Sequence, residues 1–317
     1  MLADLWLLLG ALIPVFALVA VGWSLRRFRL ISDQGVEDLN NVVFWVALPT
    51  QLFVLVSSVD IRHHFDGTAL TAALGGFIAG LVGSWWLCRA MPAPIRGTIV
   101  AGVARPNAAF IGLPVMQLLA AALPPAEATA LLTAFGVLLG AMITAFNAGS
   151  VLALRLAHQG VTMAGLLTVL AHLPRNPLIV ACALGTIASL IKPNLLHGHV
   201  VGDSVELLAR AAIPMALLLV GMQLDLGLMR RNRLLLSLIA IGKLLLVPAA
   251  TWGLGLALGV SGPALMAAVV LMACPVAIAA VPMARLLGGD AELMAAMVVV
   301  TTIAAPVALL GWLLILR

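Results

Sequence analysis

Residues 103–115 read VARPNAAFIGLPV, and no other segment of the chain is as informative. An arginine, an asparagine, two prolines and a glycine interrupt what is otherwise a long apolar run. Proline removes a backbone N–H donor and collides with the preceding helical turn, so it breaks or bends helices. A fixed charge next to helix breakers therefore requires special surroundings, and the composition indicates what those are.

The composition is that of an integral membrane protein. Hydrophobic residues make up 63% of the chain, charged residues 9%, and the mean hydropathy is +1.19, whereas soluble domains are roughly half apolar and about a quarter charged. The net charge of +5 does not indicate nucleic-acid binding, because the basic residues form short clusters between apolar runs. The cysteines have no paired spacing, and His63–His64 and His197 with His199 lack a third ligand, so we expect no metal site.

Apolar segments of the length needed to cross a bilayer, about 20 residues, recur along the whole chain. They are continuously apolar and rich in Leu and Ala, which favours helices over membrane strands of alternating pattern. The sequence predicts an all-α protein with ten spans, near residues 5–25, 37–57, 69–90, 95–120, 130–154, 173–191, 205–226, 234–259, 262–286 and 292–316.

Lysine and arginine predict the orientation, because cytoplasmic loops carry an excess of them. If the loop after the first span is cytoplasmic, that side receives Arg26, Arg27, Arg29, Arg89, Arg96, Arg155, Arg175, Arg230, Arg231, Arg233 and Arg285. The opposite side receives only Arg62, Lys192 and Arg317. Both termini are therefore predicted to face outward. Tryptophans also lie toward span ends, as interfacial anchors do: Trp6, Trp23, Trp85, Trp86 and Trp312.

The prolines repeat at a nearly constant offset. IPVFALVAVG at 13–22 corresponds to NPLIVACALG at 176–185, an offset of 163. Further pairs are Pro49 with Pro214, Pro106 with Pro275 and Pro114 with Pro282, at offsets of 165, 169 and 168. Proline is common in membrane helices, but that does not explain a shared offset. The pattern predicts two five-span repeats, residues 1–160 and 161–317. Since five is odd, the second repeat is inverted, an architecture typical of secondary transporters with broken helices and a midplane site.

The opening segment is predicted to be one of two such breaks. Pro106 and Pro114 flank NAAFIGL, so the fourth span should unwind there and expose backbone groups and the positive end of a half-helix. ACPVAIAAVPM at 273–283 predicts a second break in the ninth span. We expect the two broken crossover helices to cross near the midplane and form a polar site.

Arg105 is the first candidate for that site. A cation at membrane depth costs a few kcal/mol and needs a partner, and no Asp or Glu occupies a mid-span position. An anionic substrate or a cluster of carbonyl groups would serve; alternatively, the side chain snorkels to an interface. Because arginine binds carboxylates in bidentate geometry, a small carboxylate is favoured. Asn107 either binds within the break or caps a helix end, and Lys243 either faces the cavity or snorkels.

The remaining sequence limits the function. All twelve carboxylates lie in loops or near span ends, whereas proton relays use buried acids, so we expect electrical driving of an anion, or Na⁺ held by backbone carbonyls, rather than proton coupling. No Ser–His pair, facing Asp pair or His–Glu metal motif lies within the spans, so neither an enzyme nor a cofactor is expected. A channel would need a continuous polar stripe through several helices, whereas the polar groups here are concentrated at two breaks. A receptor that binds an anion without transporting it remains an alternative function.

These residues resemble the auxin efflux carrier family, which includes plant auxin exporters and bacterial malonate or malate permeases. The specific motif is P-N-x-x-x-x-G-x-P, formed by Pro106, Asn107, Gly112 and Pro114. Additional matches are NPLIVACALG, IPMALLLVG at 213–221, Lys243 followed by Pro248, Asn147, Thr301 and Thr302. Buried amides such as Asn147 also join helices, and threonines also bond their own helix.

The resemblance implies a sodium–bile acid symporter-like fold with a scaffold from spans 1, 2, 6 and 7 and a transport domain from spans 3–5 and 8–10. It also implies a homodimer in the bacterial inner membrane, elevator-type alternating access, and contact of Asn107 with the substrate carboxylate. The third span lacks the charged residues that plant exporters place beside their site, which argues against auxin itself. The candidate substrate-binding residues are Arg105, Pro106, Asn107, Phe110, Gly112, Pro114, Asn147, Lys243, Pro275, Ala277, Pro282, Thr301 and Thr302.

Overall fold

The computed structural model describes residues 2–58, 66–159, 176–191, 199–230 and 232–317. The regular elements in these ranges are helical, apart from one isolated β-bridge. The helices are α1 (Leu2–Arg27), α2 (Asp33–Val42), α3 (Leu48–Ser57), α4 (Gly67–Leu87), α5 (Ala93–Val103), α6 (Leu113–Ala120), α7 (Pro125–Gln159), α8 (Pro177–Ile191), α9 (Val200–Met222), α10 (Arg233–Ile241), α11 (Val247–Ala257), α12 (Gly262–Ala273), α13 (Ala280–Leu286) and α14 (Ala291–Ile315). A 3-10 turn covers Leu226–Arg230.

Seven of the described helical segments are long and apolar enough to cross a membrane. They are Leu5–Arg27, Asp33–Ser57, Gly67–Leu87, Pro125–Ala157, Val200–Met222, Arg233–Ala257 and Ala291–Ile315. Shorter apolar helices at Ala93–Val103, Ala108–Ala120, Pro177–Ile191 and Gly262–Ala273 coincide with the spans predicted at 95–120, 173–191 and 262–286. The chain is an all-helical integral membrane protein, and its division into ten spans stays a prediction.

Three π-helical turns stand directly before prolines. The turns cover Val43–Ala47, Ala108–Gly112 and Gly242–Leu246, and the prolines are Pro49, Pro114 and Pro248. A proline ring collides with the carbonyl group four residues earlier. An extra residue in that turn, as in a π-bulge, moves the carbonyl aside and lets the helix continue. These prolines are therefore accommodated within helical segments rather than ending them.

The two breaks lie at slightly different places from those predicted. In the fourth span, α5 ends at Val103 and helical structure resumes at Ala108, so NAAFIGL is largely helical and the break covers residues 104–107. In the ninth span the break covers residues 274–279, because α13 begins at Ala280. Pro282 therefore lies in the first turn of α13, where proline is tolerated, and its side chain is exposed.

Trp312 satisfies a carbonyl group that a proline leaves free. Pro248 has no N–H to offer the Leu244 carbonyl four residues earlier, and Trp312 Nε1 of α14 donates to that oxygen at 2.9 Å. Neighbouring helices commonly satisfy such groups in membrane proteins. Trp312 is 6% exposed, so it is a buried link between two helices and not the interfacial anchor that its position predicts.

Trp312→Phe is expected to lower the free energy of unfolding by about 1–3 kcal/mol, because the Leu244 carbonyl would lose its donor. Thermal unfolding of the purified protein in detergent measures the change. Pro248→Ala removes the ring that the π turn accommodates and supplies a backbone N–H four residues after Leu244, so Trp312→Phe should cost less in the Pro248→Ala background. Equal costs in both backgrounds would show that this hydrogen bond contributes nothing to stability.

The chain forms two compact units, each drawn from both sequence halves. The first contains the described residues within Met1–Asp66, Ala109–Ile143 and Pro174–Leu224. Glycines let α1 and α9 approach backbone to backbone, as in many membrane helix pairs. A Cβ atom on Gly22 would overlap the Leu218 carbonyl, and a Cβ on Gly221 would overlap the Val19 carbonyl.

A third glycine of the first unit makes the same kind of contact between α3 and α8. A Cβ atom on Gly185 would lie 3.0 Å from Val56 Cβ and 3.1 Å from the Phe53 carbonyl oxygen. Gly22 and Gly185 are 163 positions apart, which is the offset that relates the predicted first and sixth spans. Both glycines serve the same packing role, at positions that correspond in the predicted repeat.

The second unit contains the described residues within Gly67–Ala108, Thr144–Leu173 and Asp225–Arg317. Here α4 packs on α11, since a Cβ on Gly76 would overlap the Thr251 side chain and one on Gly80 would lie 2.9 Å from Val247 Cγ2. The helices predicted to form the scaffold fall in the first unit, as do α6 and the first part of α7. The assignment of scaffold and transport domain stays a prediction, but both breaks lie in the second unit.

Candidate functional site

The two breaks of the second unit meet in an antiparallel β-bridge centred on Pro106. The Asn107 N–H donates to the Pro275 carbonyl oxygen at 2.7 Å, and the Ala277 N–H donates to the Arg105 carbonyl oxygen at 2.8 Å. Extended backbone inside a membrane is tolerated where protein satisfies its polar groups. These main-chain groups are therefore occupied by each other and are not exposed to a substrate as the sequence predicted.

Thr301 of α14 holds the second break in place. Its Oγ1 accepts a hydrogen bond from the Val276 N–H at 3.0 Å and donates to the Met297 carbonyl at 2.7 Å. Thr301 is fully buried. Because its single hydroxyl proton is already used, Thr301 supports the crossover and has no donor left for a ligand.

Arg105 follows the carboxyl end of α5 and is half-buried. In the described part of the chain its side chain bonds to the Met283 thioether, with Nη1 at 3.2 Å from Sδ. A thioether is a weak acceptor, and a guanidinium carries five N–H donors. None of the described Asp or Glu residues is buried. The guanidinium therefore keeps most of its hydrogen-bonding capacity and its charge at the crossover.

Asn107 and Thr302 contribute buried donors that lack acceptors among the described residues. Asn107 is 3% exposed and Thr302 1% exposed, and neither Asn107 Nδ2 nor Thr302 Oγ1 has a hydrogen-bond partner in the described part of the chain. Leaving a buried polar group unpaired costs about 1–3 kcal/mol, so such groups indicate a ligand or a functional constraint. The unpaired Asn107 amide lies on the break that carries Arg105, which suits an anion, while Thr302 lies in α14 next to Thr301.

Lys243 neither faces an open cavity nor snorkels. The residue is fully buried, and its Nζ donates to the Met272 carbonyl oxygen at 3.0 Å. Met272 lies in the last turn of α12, which ends at the ninth-span break. The carboxyl end of a helix carries partial negative charge, so the ammonium group stabilises this half-helix end.

The other candidates are distributed as follows. Asn147 is half-buried in the second unit and has a hydrogen-bonding or electrostatic partner there or elsewhere in the chain. Phe110, Gly112 and Pro114 belong to the first unit, where they form the π turn and the start of α6. The described residues contain no group of three or more potential metal ligands, and His63, His64 and His197 lie outside them.

Two residues of the crossover were not anticipated. The sequence does not predict Met283 as the partner of Arg105, because a thioether beside a guanidinium has no sequence signature. Met272 acts through its main-chain carbonyl, which its side chain does not mark. A signal for Met272 did exist, since a buried lysine requires an acceptor and the end of a half-helix offers free carbonyl groups.

Thr301→Ala and Thr302→Ala are expected to have opposite effects. Thr301→Ala removes the acceptor of the Val276 N–H and should lower the unfolding free energy by about 1–3 kcal/mol. Thr302→Ala removes an unpaired hydroxyl, so stability should be unchanged or slightly higher while substrate affinity falls. Thermal unfolding and substrate binding by the purified variants measure the two effects. A loss of stability in both variants, with affinity retained, would assign Thr302 a packing role alone.

The chain matches one family of known proteins. A family model described as a membrane transport protein matches residues 7–313, which is nearly the whole chain. No curated protein matches the chain.

Proposed function

The chain belongs to the membrane transport protein family, that of the auxin efflux carriers, and from this we propose that it is a secondary transporter of small organic carboxylates. Malonate and malate are the first candidates, with auxin-like acids as more distant ones. The family makes the chain a membrane transporter, and transport rather than an enzymatic reaction is its proposed activity. The side chains at the crossover support the carboxylate substrate class.

The observation that carries the proposal is the unpaired Asn107 Nδ2 on the break that also carries Arg105. Both groups donate hydrogen bonds, and one of them is cationic. Arginine pairs with carboxylates through two parallel N–H···O bonds, and an amide N–H next to it can bind a further oxygen. A carboxylate would satisfy both groups, whereas a cation or a neutral apolar solute would leave them unpaired.

The proposed mechanism is elevator-type alternating access on a fold of two inverted five-helix repeats. Two observations support it. The crossover and its supports, Thr301 and Lys243, all belong to one compact unit, so they could move together with the bound anion. The corresponding packing of Gly22 and Gly185 at the repeat offset supports the internal symmetry. A homodimer in the bacterial inner membrane completes the proposal and rests on the family resemblance.

Transport by the purified protein in liposomes tests the proposal. Malonate, malate, lactate and indole-3-acetate are supplied in turn, with and without Na⁺ and a pH gradient. We expect a saturable current with at least one carboxylate, since a net anion crosses. Because none of the described carboxylates is buried, a pH gradient at zero membrane potential should drive little uptake.

Each failure of this experiment has a distinct meaning. Steep proton-driven uptake at zero potential would contradict the coupling, while leaving the substrate class in place. Folded protein that binds a carboxylate without moving it would be a receptor. If folded protein gives neither binding nor current with any of the four compounds, the carboxylate assignment itself is contradicted.

A further inference from the structure

The second unit contains an apolar cavity of about 460 Å³ that is separate from the crossover. One wall runs from Ala79 in α4 to Cys88 just after it, and the other from Leu235 in α10 to Ala250 in α11. Met91 of the α4–α5 connection and Ile99 and Val103 of α5 complete the lining. The volume lies within the range of ligand sites in proteins, and neither Arg105 nor Asn107 borders it.

The cavity arises because its two walls touch at one end only. Gly76 packs on Thr251 and Gly80 on Val247, and these contacts close the inner end. Beyond them the walls separate. A Cβ atom on Gly83 or on Gly242 would meet no other atom within 4 Å. The two glycines therefore face unfilled space from opposite walls.

The body of the cavity suits a hydrocarbon chain. Its lining is apolar, and the Ser84 hydroxyl is already used by its own helix, donating to the Gly80 carbonyl at 2.6 Å. The cavity follows α4 over the residues from Ala79 to Cys88, a length of about 13 Å at 1.5 Å per residue. This length lies within a membrane-crossing helix, so the cavity extends from the end of the span toward the bilayer interior.

The outer end of the cavity is cationic. Cys88 lines the cavity, and Arg89 follows it in the chain. Arg89 and Arg96 stack over tryptophan rings, with guanidinium carbons 4.7 and 4.6 Å from the ring centroids of Trp86 and Trp85. Arg96 Nη1 donates to the Arg89 carbonyl at 3.3 Å, so both arginines lie close to the cavity-lining Cys88.

Arg89 is exposed and Arg96 is half-buried. Because Arg96 Nε is itself buried, a ligand would contact the outer nitrogens of this guanidinium. The sequence predicts that Arg89 and Arg96 lie on the cytoplasmic side, and the cytoplasmic leaflet is rich in anionic lipids. A molecule with an apolar chain and an anionic head group complements both parts of this region.

We propose that the cavity binds one acyl chain of an anionic phospholipid, with the lipid phosphate at Arg96. The chain fills the space between Gly83 and Gly242. The phosphate interacts with the Arg89 and Arg96 guanidinium groups. The site is independent of the proposed carboxylate site, because it shares no residue with the crossover.

Native mass spectrometry of the delipidated full chain in detergent tests this site. Phosphatidylglycerol and phosphatidylcholine with identical acyl chains are added separately. We expect wild-type protein to retain one phosphatidylglycerol per chain, about tenfold more strongly than phosphatidylcholine, which is the effect of one charge-assisted hydrogen bond.

Variants separate the chain-binding part from the head-group part. Gly83→Leu fills the cavity and should abolish specific retention of both lipids, whereas Gly253→Leu, also in open space but outside the cavity, should behave as wild type. Arg96→Gln should remove the preference for phosphatidylglycerol, and the exposed Arg27→Gln should retain it. If Gly83→Leu does not fold, Gly242→Leu fills the cavity from the other wall.

Two results would overturn the proposal. Equal retention of the two lipids by wild-type protein would remove the head-group assignment. Unchanged retention in a folded Gly83→Leu or Gly242→Leu protein would show that the lipid binds elsewhere. Neither result depends on transport, so they are distinguishable from a failure of the carboxylate proposal.

Discussion

Asn107→Ala is expected to reduce carboxylate transport at low substrate concentration by about ten- to a hundredfold, the effect of losing a hydrogen bond to a charged group. Asn107 Nδ2 lies buried at the crossover without an acceptor among the described residues. Its removal therefore acts on the bound anion and not on a contact within the protein.

The fold should tolerate this substitution. The β-bridge depends on the Asn107 main chain, whose N–H still reaches the Pro275 carbonyl in the alanine variant. Removing an unpaired buried donor costs no protein hydrogen bond. Membrane insertion, yield and thermal unfolding should match the wild type, so any loss of transport reports on the site.

Substrate-dependent currents in liposomes, measured over a range of carboxylate concentrations, provide the test. Asn41→Ala is a suitable control, because Asn41 is an exposed asparagine of α2 outside the second unit. Normal uptake by the Asn107→Ala protein would rule out the crossover as the carboxylate site. Asn107→Asp should be still less active, because it places a negative charge beside the anion.

Gly221→Leu is expected to lower the free energy of unfolding by about 3 kcal/mol, because it forces overpacking at a contact between two helix backbones. A side chain on Gly221 would overlap the Val19 carbonyl, and its Cβ would lie 2.6 Å from the Trp23 nitrogen. Backbone atoms cannot rotate away as a side chain can. Leucine has a helix propensity better than that of glycine by about 1 kcal/mol, which offsets only part of the loss.

Thermal unfolding followed by size-exclusion chromatography measures the effect of Gly221→Leu. A loss of this size should lower the Tm by about 5–10 °C in a chain of this length. Gly10→Leu is the matched control, because Gly10 lies in α1 and a Cβ there would meet no atom within 4 Å. A Gly221→Leu protein as stable as Gly10→Leu would show that α1 and α9 are not in backbone contact.

The proline pattern predicted where the helices are interrupted to within a few residues. It could not distinguish a proline that ends a helix from one that a π turn accommodates. Pro114 is of the second kind, so NAAFIGL is mostly helical, and the break lies one turn earlier. Pro282 is tolerated in the first turn of α13. Both outcomes depend on local backbone geometry that the identity of the residue does not determine.

Prediction from the sequence has a similar limit for the two charged candidates, Arg105 and Lys243. Sequence identified Arg105 and Lys243 as cations at membrane depth, because charge in an apolar span is conspicuous. Their partners are a thioether and a main-chain carbonyl, at Met283 and Met272. The Met283 thioether has no sequence signature at all. The free carbonyl groups at the end of a half-helix were a signal for the Lys243 partner, but only the placement of α12 shows that the carbonyl is that of Met272.

The β-bridge centred on Pro106 has a consequence for how the chain is assembled in the membrane. The break at 104–107 belongs to residues 1–160, while its partner at 274–279 belongs to residues 161–317. Either half alone would hold unpaired main-chain groups in hydrocarbon, at several kcal/mol for each group. The two halves of the sequence therefore depend on each other, and during synthesis the first break stays unpaired until residues 274–279 have been made.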